Sequence, residues 1–324
     1  MAALVKANAL AKHFTASRRM GDVLAGRHPK VHAVDGVDLT ISKGESVGLL
    51  GESGCGKTTT GRLLLKLAEP TGGDVSFDGA ALSGLRGAAL TAFRKRAQLV
   101  FQNPFEALNP RFTIERALAE PLVNTGVDRA THRERIERAL GQVRLPPLER
   151  FTGLFAHQLS GGQLQRIALA RALVLEPDFI VADEPVSMLD VSVRAGVLNV
   201  MRDIREKLGL AALYISHDLA LVRYVCSQTL VMYLGRIVEE GPTAEVLATP
   251  LHPYTRALVK AVPVPRVNQS REPLPIIGNV SDARGQFTGC RFRSRCPLAI
   301  ARCAAEDPPL RAVGPGRRAA CHII

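Results

Sequence analysis

Eight consecutive residues, Gly51-Glu52-Ser53-Gly54-Cys55-Gly56-Lys57-Thr58, satisfy the pattern GxxxxGK[ST]. Glycines at these positions let backbone N–H groups curl inward round a polyphosphate with no side chain in the way. A helix starting near Lys57 would aim its positive end at the same charge. Lys57 would reach the β- and γ-phosphates, the Thr58 hydroxyl would ligate Mg²⁺, and Thr59 would complete the cradle. A second group of residues suits the same chemistry. Phe179-Ile180-Val181-Ala182 is an apolar run followed by Asp183 and Glu184. Two carboxylates at the end of a buried parallel strand stand where such sheets gather their ligands. Asp183 would hold Mg²⁺ and Glu184 would act as general base on a water. Taken alone, the pair also reads as a helix-capping acidic doublet. A third group, Leu159-Ser160-Gly161-Gly162-Gln163, opens a helix and offers another anion cradle. Two phosphate-seeking surfaces are redundant in one chain but make sense if a second chain completes each site.

The surrounding pattern supplies the elements that position these groups. Val37 to Ile41 alternates apolar and polar, Lys43-Gly44-Glu45 is a turn, and Ser46 to Leu50 is a short apolar strand entering the glycine loop. Thr58 to Leu67 has helical spacing, and Asp74–Phe77, Gln98–Phe101, Phe179–Ala182 and Ala212–Ile215 read as strands. Residues 105 to 172 read as mainly helical, 193 to 207 as a helix between two strands, and a helix over 243–248 with the segment 253–262 closes the main body. Strand–helix alternation interrupted by a helical block predicts an α/β fold: a parallel sheet covered by helices, with a helical subdomain inserted. From Pro263 onward Pro, Gly and Arg dominate, so 1–262 is expected to be the main domain and 263–324 a small irregular Cys-rich extension.

In this order, the phosphate loop, the Leu159–Gln163 signature and Val181–Glu184 resemble the ATP-binding subunit of an ABC transporter, over roughly residues 4 to 260. The resemblance implies a P-loop NTPase core and two such domains packed head to tail. ATP would be sandwiched between Gly51, Glu52, Ser53, Gly54, Cys55, Gly56, Lys57, Thr58 and Thr59 of one copy and Ser160, Gly161, Gly162 and Gln163 of the other. Gln102 resembles the Q-loop glutamine that senses Mg²⁺ and water, His217 the switch histidine at the γ-phosphate, and Asp190 the D-loop aspartate. Phe14 resembles the aromatic that stacks on adenine. Each has a plainer reading: a solvated glutamine, a bystander histidine, a core phenylalanine. Met188 and Leu164 depart from the family pattern without removing a catalytic group.

Leu251-His252-Pro253-Tyr254 and the cysteine tail are similar to the oligopeptide/dipeptide importer ATPases, a layout shared by nickel and some oligosaccharide importers. Cys290, Cys296, Cys303 and Cys321 are four thiols within thirty-two positions. Four thiolates suit tetrahedral Zn²⁺ or an iron–sulfur cluster, and intervals wider than C-x2-C favour the cluster. The resemblance likewise implies [4Fe–4S], while unmetallated thiols in a small basic cap remain the plain alternative. From residue 262 onward there are ten Arg and four acidic residues, a local +6, which reads as a solvated basic face or one meeting anionic lipid.

Composition sets the outer bounds. The chain of 324 residues is 46% hydrophobic and 22% charged, which excludes wholesale disorder, and it lacks any apolar run of the ~18 residues that a spanning helix needs. Its start shows no signal-peptide pattern. Forty-two basic against thirty acidic residues give +12, compatible with polyphosphate, nucleic acid or an anionic membrane, but aromatics are 5% and Trp is absent, leaving little for base stacking. The expectation is an ATP hydrolase powering peptide import at the cytoplasmic face of the inner membrane, attached peripherally. Its expected partners are a homologous ATPase (as a heterodimer), two permease subunits and an extracytoplasmic binding protein, with no nucleic acid. Nickel or oligosaccharide cargo is the alternative, and a soluble ATPase acting on nucleic acid the rival.

Overall fold

The computed structural model describes residues 2–15, 30–261, 276–277 and 287–324. The chain divides into two compact units, one of Met1–Val5, Ile41–Ser46 and Ser76–Ile215, the other of Lys6–Thr40, Val47–Val75 and Ser216–Ile324. In chain order the strands are β1 (Ala3–Thr15), β2 (Lys30–Ser42), β3 (Ser46–Leu50), β4 (Gly72–Phe77), β5 (Ala80–Ala81), β6 (Ala97–Val100), β7 (Phe179–Asp183), β8 (Ala211–Ser216), β9 (Gln228–Tyr233), β10 (Arg236–Pro242), β11 (Arg311–Gly314) and β12 (Arg317–Ala319).

In the first unit β7 lies between β6 and β8, all parallel, with Leu99 opposite Val181 and Val181 opposite Leu213. Phe179 to Ala182 and Ala211 to Ile215 are buried throughout, as unbroken apolar runs require in a sheet covered on both faces. Between β6 and β7 come helices Pro104–Ala107, Ile114–Asn124, His132–Gln142 and Gly161–Leu173. The Thr113 hydroxyl caps the second by accepting the Arg116 N–H. Leu118, Leu122, Ile136, Leu140 and Ile167 are buried in this helical block, and the second and third helices pack on the fourth. Thus the helical insertion expected over 105–172 is present.

In the second unit β3 runs parallel to β9, and β9 is antiparallel to β10. Next to β10 lies β12, with Glu239 opposite Ala319, and β11 closes that edge. The extension expected to be irregular therefore carries a short hairpin. Its strands are three and four residues long and rich in arginine, so no alternating apolar pattern announced them. The long strand β1 had likewise escaped the sequence reading. Part of the predicted Pro-rich link, 262–275, lies outside the described residues.

Candidate active site

In the second unit β3 delivers the chain into Gly51–Gly56, and the helix Lys57–Leu64 follows at once. Gly56 is the residue before that helix and has a φ of 111°; a Cβ there would sit 1.9 Å from the Ala33 carbonyl oxygen. Only glycine fits. Because Gly56 offers no side-chain cap, the first-turn N–H groups are left for an anion. Lys57 is buried, and its Nζ donates to the carbonyl oxygens of Gly51 (2.7 Å) and Glu52 (2.9 Å). Cys55 is also buried, and burial raises its thiol pKa, which keeps it a protonated filler beside Lys57. Ser53, Gly54 and Thr58 are exposed on the same loop. These residues fit a polyphosphate: a glycine-lined turn, open amides and one ammonium.

In the first unit Asp183 ends β7 and Glu184 follows with φ 43°, a left-handed conformation uncommon for a side-chain-bearing residue. The Glu184 N–H donates to the Ile215 carbonyl (2.8 Å), tying this turn to the end of β8. Gln102, exposed after β6, donates its amide N–H to Glu184 Oε2 at 2.9 Å. The two residues that sequence reasoning assigned to water and Mg²⁺ are thus in direct contact.

Ser160 caps the helix Gly161–Leu173 through a reciprocal pair. Its hydroxyl accepts the Gln163 N–H (3.3 Å) and Gln163 Oε1 accepts the Ser160 N–H (3.0 Å). The S-x-x-Q spacing is the sequence mark of this capping box, which the reading as a bare anion cradle had passed over. The hydroxyl proton of Ser160 is still available to a ligand, and Gly162 stays small because a Cβ would meet Val193 at 2.4 Å. Leu164, the departure from pattern, is buried in the helix core. Asp190 immediately precedes the helix Val191–Leu208; Leu189 beside it is buried, while Met188 is 65% and Val191 81% exposed. In the second unit His217 is exposed just after β8, and Asp218 caps the next helix by accepting the Ala220 and Leu221 N–H groups. Phe14 is 45% exposed with Lys12 Nζ 5.3 Å from its ring centre, so it is a surface ring and not a core residue.

Residues 34–187 match the ABC transporter family, and residues 238–303 match the oligopeptide/dipeptide transporter C-terminal region. A protein of Brucella ovis with the provisional name peptide import ATP-binding protein is 47% identical over 98% of this chain and 97% of its own length. The oligopeptide transport ATP-binding protein AppF of Bacillus subtilis is 42% identical over 94% of this chain and 91% of its own. A dimeric ATP-binding cassette solved with ADP and Pi superposes with a TM-score of 0.64 at 28% identity, over 74% of this chain and 99% of that one. The chain belongs to the ABC transporter family. It has the P-loop ABC ATPase fold and is an ATP-hydrolysing transport subunit of that family.

Within this ABC ATPase the backbone brings Cys290 to Cys303. Burial, with the charge of Cys303, Asp307 and Cys321, pushes the Cys290 thiol up to about 11. Burial and the charge of Cys321 and Cys303 likewise raise Cys296. The Cys290 N–H donates to the Cys303 carbonyl (2.8 Å), an approach that Gly289 permits since a Cβ there would lie 2.4 Å from the same oxygen. Cys303 and Cys321 bear on both Cys290 and Cys296, and thiolates are ligands that soft metals prefer. Among the described residues, the one group with three ligand atoms mutually within 4.8 Å is His13, His32 and Asp35, so the thiols are more widely set than the roughly 3.8 Å edge of a zinc tetrahedron with ~2.3 Å bonds. Asp35 in that group is already engaged by Arg291 and by His13 (3.0 Å). No helix among the described residues is long and apolar enough to cross a membrane.

Sequence reasoning did not anticipate Tyr254 and Arg295 at the phosphate loop. Tyr254 Oη accepts the Glu52 N–H at 2.8 Å, and Arg295 donates to both carboxylate oxygens of Glu52, at 2.8 and 3.0 Å. Tyr254 belonged to a segment noted only as a family mark. For Arg295 the one signal was its place between two cysteines.

Proposed function

We propose that this subunit binds MgATP at Gly51–Thr59 and hydrolyses it to drive peptide import. The observation that carries the nucleotide reading is the uncapped helix start behind Gly56, with Lys57 held inside the loop. Lys57 and the loop amides would neutralise the phosphates, Thr58 and Asp183 would hold Mg²⁺, and Phe14 would stack on adenine. When bound, the metal would offset charge on the phosphate oxygens. Glu184 would take a proton from the attacking water, Gln102 would orient that carboxylate and sense the metal, and His217 would meet the γ-phosphate. Ser160, Gly161, Gly162 and Gln163 would act on the nucleotide of a second ATPase subunit. Met188 and Val191, bare on either side of Asp190, support a contact surface there.

Peptide cargo rests on the names of the relatives and on the matching C-terminal region. The setting that follows is peripheral attachment at the cytoplasmic face, with a homologous ATPase, two permease subunits and a substrate-binding protein as partners. Residues 263–324 would form the extension, its four thiols holding [4Fe–4S], with zinc as the alternative. The number and type of the thiols support a centre, and their intervals in the sequence, wider than C-x2-C, favour the cluster. Anaerobic purification with a visible absorption spectrum and iron analysis separates the two metals. For the ATPase, Glu184→Gln should lower turnover by about 10²–10⁴ while MgATP still binds. Unchanged hydrolysis would remove Glu184 from its role.

A further inference from the structure

Glu52 is held at every polar atom it has. Its N–H donates to Tyr254 Oη (2.8 Å), its carbonyl accepts from Lys57 Nζ (2.9 Å), and its carboxylate oxygens accept from the two terminal nitrogens of Arg295 (2.8 and 3.0 Å). These holding groups are themselves fixed. Arg295 is 5% exposed, with its guanidinium 5.8 Å from the Tyr233 ring centre and 6.0 Å from that of Phe292. Tyr254 packs against the same rings at 4.7 and 5.5 Å, and its N–H donates to His252 Nδ1 at 3.1 Å. The His252 N–H donates in turn to Glu239 at 2.9 Å. All of these residues lie in the second unit.

We propose that Arg295 and Tyr254 are positioning residues for nucleotide binding: by holding Glu52, they set the phosphate loop and the Lys57 amine before ATP arrives. The inference rests on reading Gly51–Thr58 as the phosphate loop, and it assigns a part in ATP binding to the tail. A loop pinned at its second residue loses less conformational freedom when the polyphosphate docks. Because this contribution is the same in ground and transition states, it appears in KM and leaves kcat in place. A fault in folding would not separate the two in that way.

The test uses the full chain for MgATP binding and the assembled transporter for kinetics. Arg295→Met and Tyr254→Phe should each weaken MgATP about tenfold, the order expected for hydrogen bonds to a charged or buried group, with kcat at saturation within about twofold of wild type. Arg295→Lys should recover part of the loss. Arg293→Met is the control, since Arg293 sits in the same loop with the same charge but is exposed and donates to the Ala304 carbonyl. Glu52→Gln should reproduce Arg295→Met, and combining the two should add little, because both break one contact. If Arg295→Met does not fold, Glu52→Gln carries the test alone. Wild-type affinity in Glu52→Gln and in any folded Arg295→Met overturns the proposal, as does an equal loss in Arg293→Met. Failure of the wild-type chain to bind MgATP would instead strike at the phosphate-loop reading.

Discussion

The side-chain amide of Gln102 donates to Glu184 at 2.9 Å although the two residues stand eighty-two positions apart. Glu184 is offered to this contact by its left-handed backbone, and that conformation is secured by the hydrogen bond from its N–H to Ile215. Gln102→Ala should therefore leave MgATP binding near wild type and lower kcat by roughly ten- to a hundredfold, equivalent to ~1.5–3 kcal/mol for a hydrogen bond to a charged group. Parallel measurement of nucleotide affinity and steady-state ATPase checks both halves.

Glu239 has no exposed side-chain surface and accepts from Arg317 (2.7 Å) and from the N–H groups of Leu251 (3.0 Å) and His252 (2.9 Å). Arg317→Met would strand a buried carboxylate, at a cost of about 3–5 kcal/mol. Calorimetry should show a lowered Tm, and adding Glu239→Gln should restore part of it. A Tm equal to wild type in Arg317→Met would contradict this account.

His252 is fully buried, and desolvation together with the charge of Arg256 lowers its pKa to about 3. Its Nδ1 accepts the Tyr254 N–H, so the folded state needs the neutral ring. Above the ordinary value of about 6.5 neither state binds the proton, and the neutral ring costs nothing. As the pH falls below it the unfolded chain takes up a proton that the folded chain refuses, so stability declines towards pH 3. Denaturant melts at pH 7 and pH 5 should show this loss in wild type and a smaller one in His252→Asn, whose side-chain oxygen can also accept.

The Cys290 thiol, raised to about 11 by burial and by its neighbouring cysteines, is protonated near neutrality. In metal-free protein its alkylation by iodoacetamide should be slow and should quicken about tenfold per pH unit on approach to that value. Metal loading should release protons and block the reaction. Mass-spectrometric mapping of Cys290 across pH 7 to 10 gives the profile; a rate independent of pH would contradict it.

Legibility in the sequence followed the range of the contacts. The phosphate loop could be read because strand, glycine turn and helix are contiguous, and Phe179–Glu184 because the carboxylates directly follow the apolar run of one strand. The pairing of Gln102 with Glu184 and of Tyr254 with Glu52 joins residues 82 and 202 positions apart, and no spacing rule spans such gaps. Ser160–Gln163 held a local signal, a capping box, obscured by its glycines. Arg317–Ala319 forms a strand only because β10 offers it an edge; its own letters favour solvent.

Through that pairing β12 covers the outer margin of β10, and the outermost strand, β11, is only four residues long and begins with Arg311. Shortness and charge discourage a stranger from docking there. Lose the final fourteen residues, and the edge of β10 around Val238–Glu240, which β12 and the Ala320 N–H now cover, would lie bare. A finished border would become a seam, open to fibril-like stacking between copies.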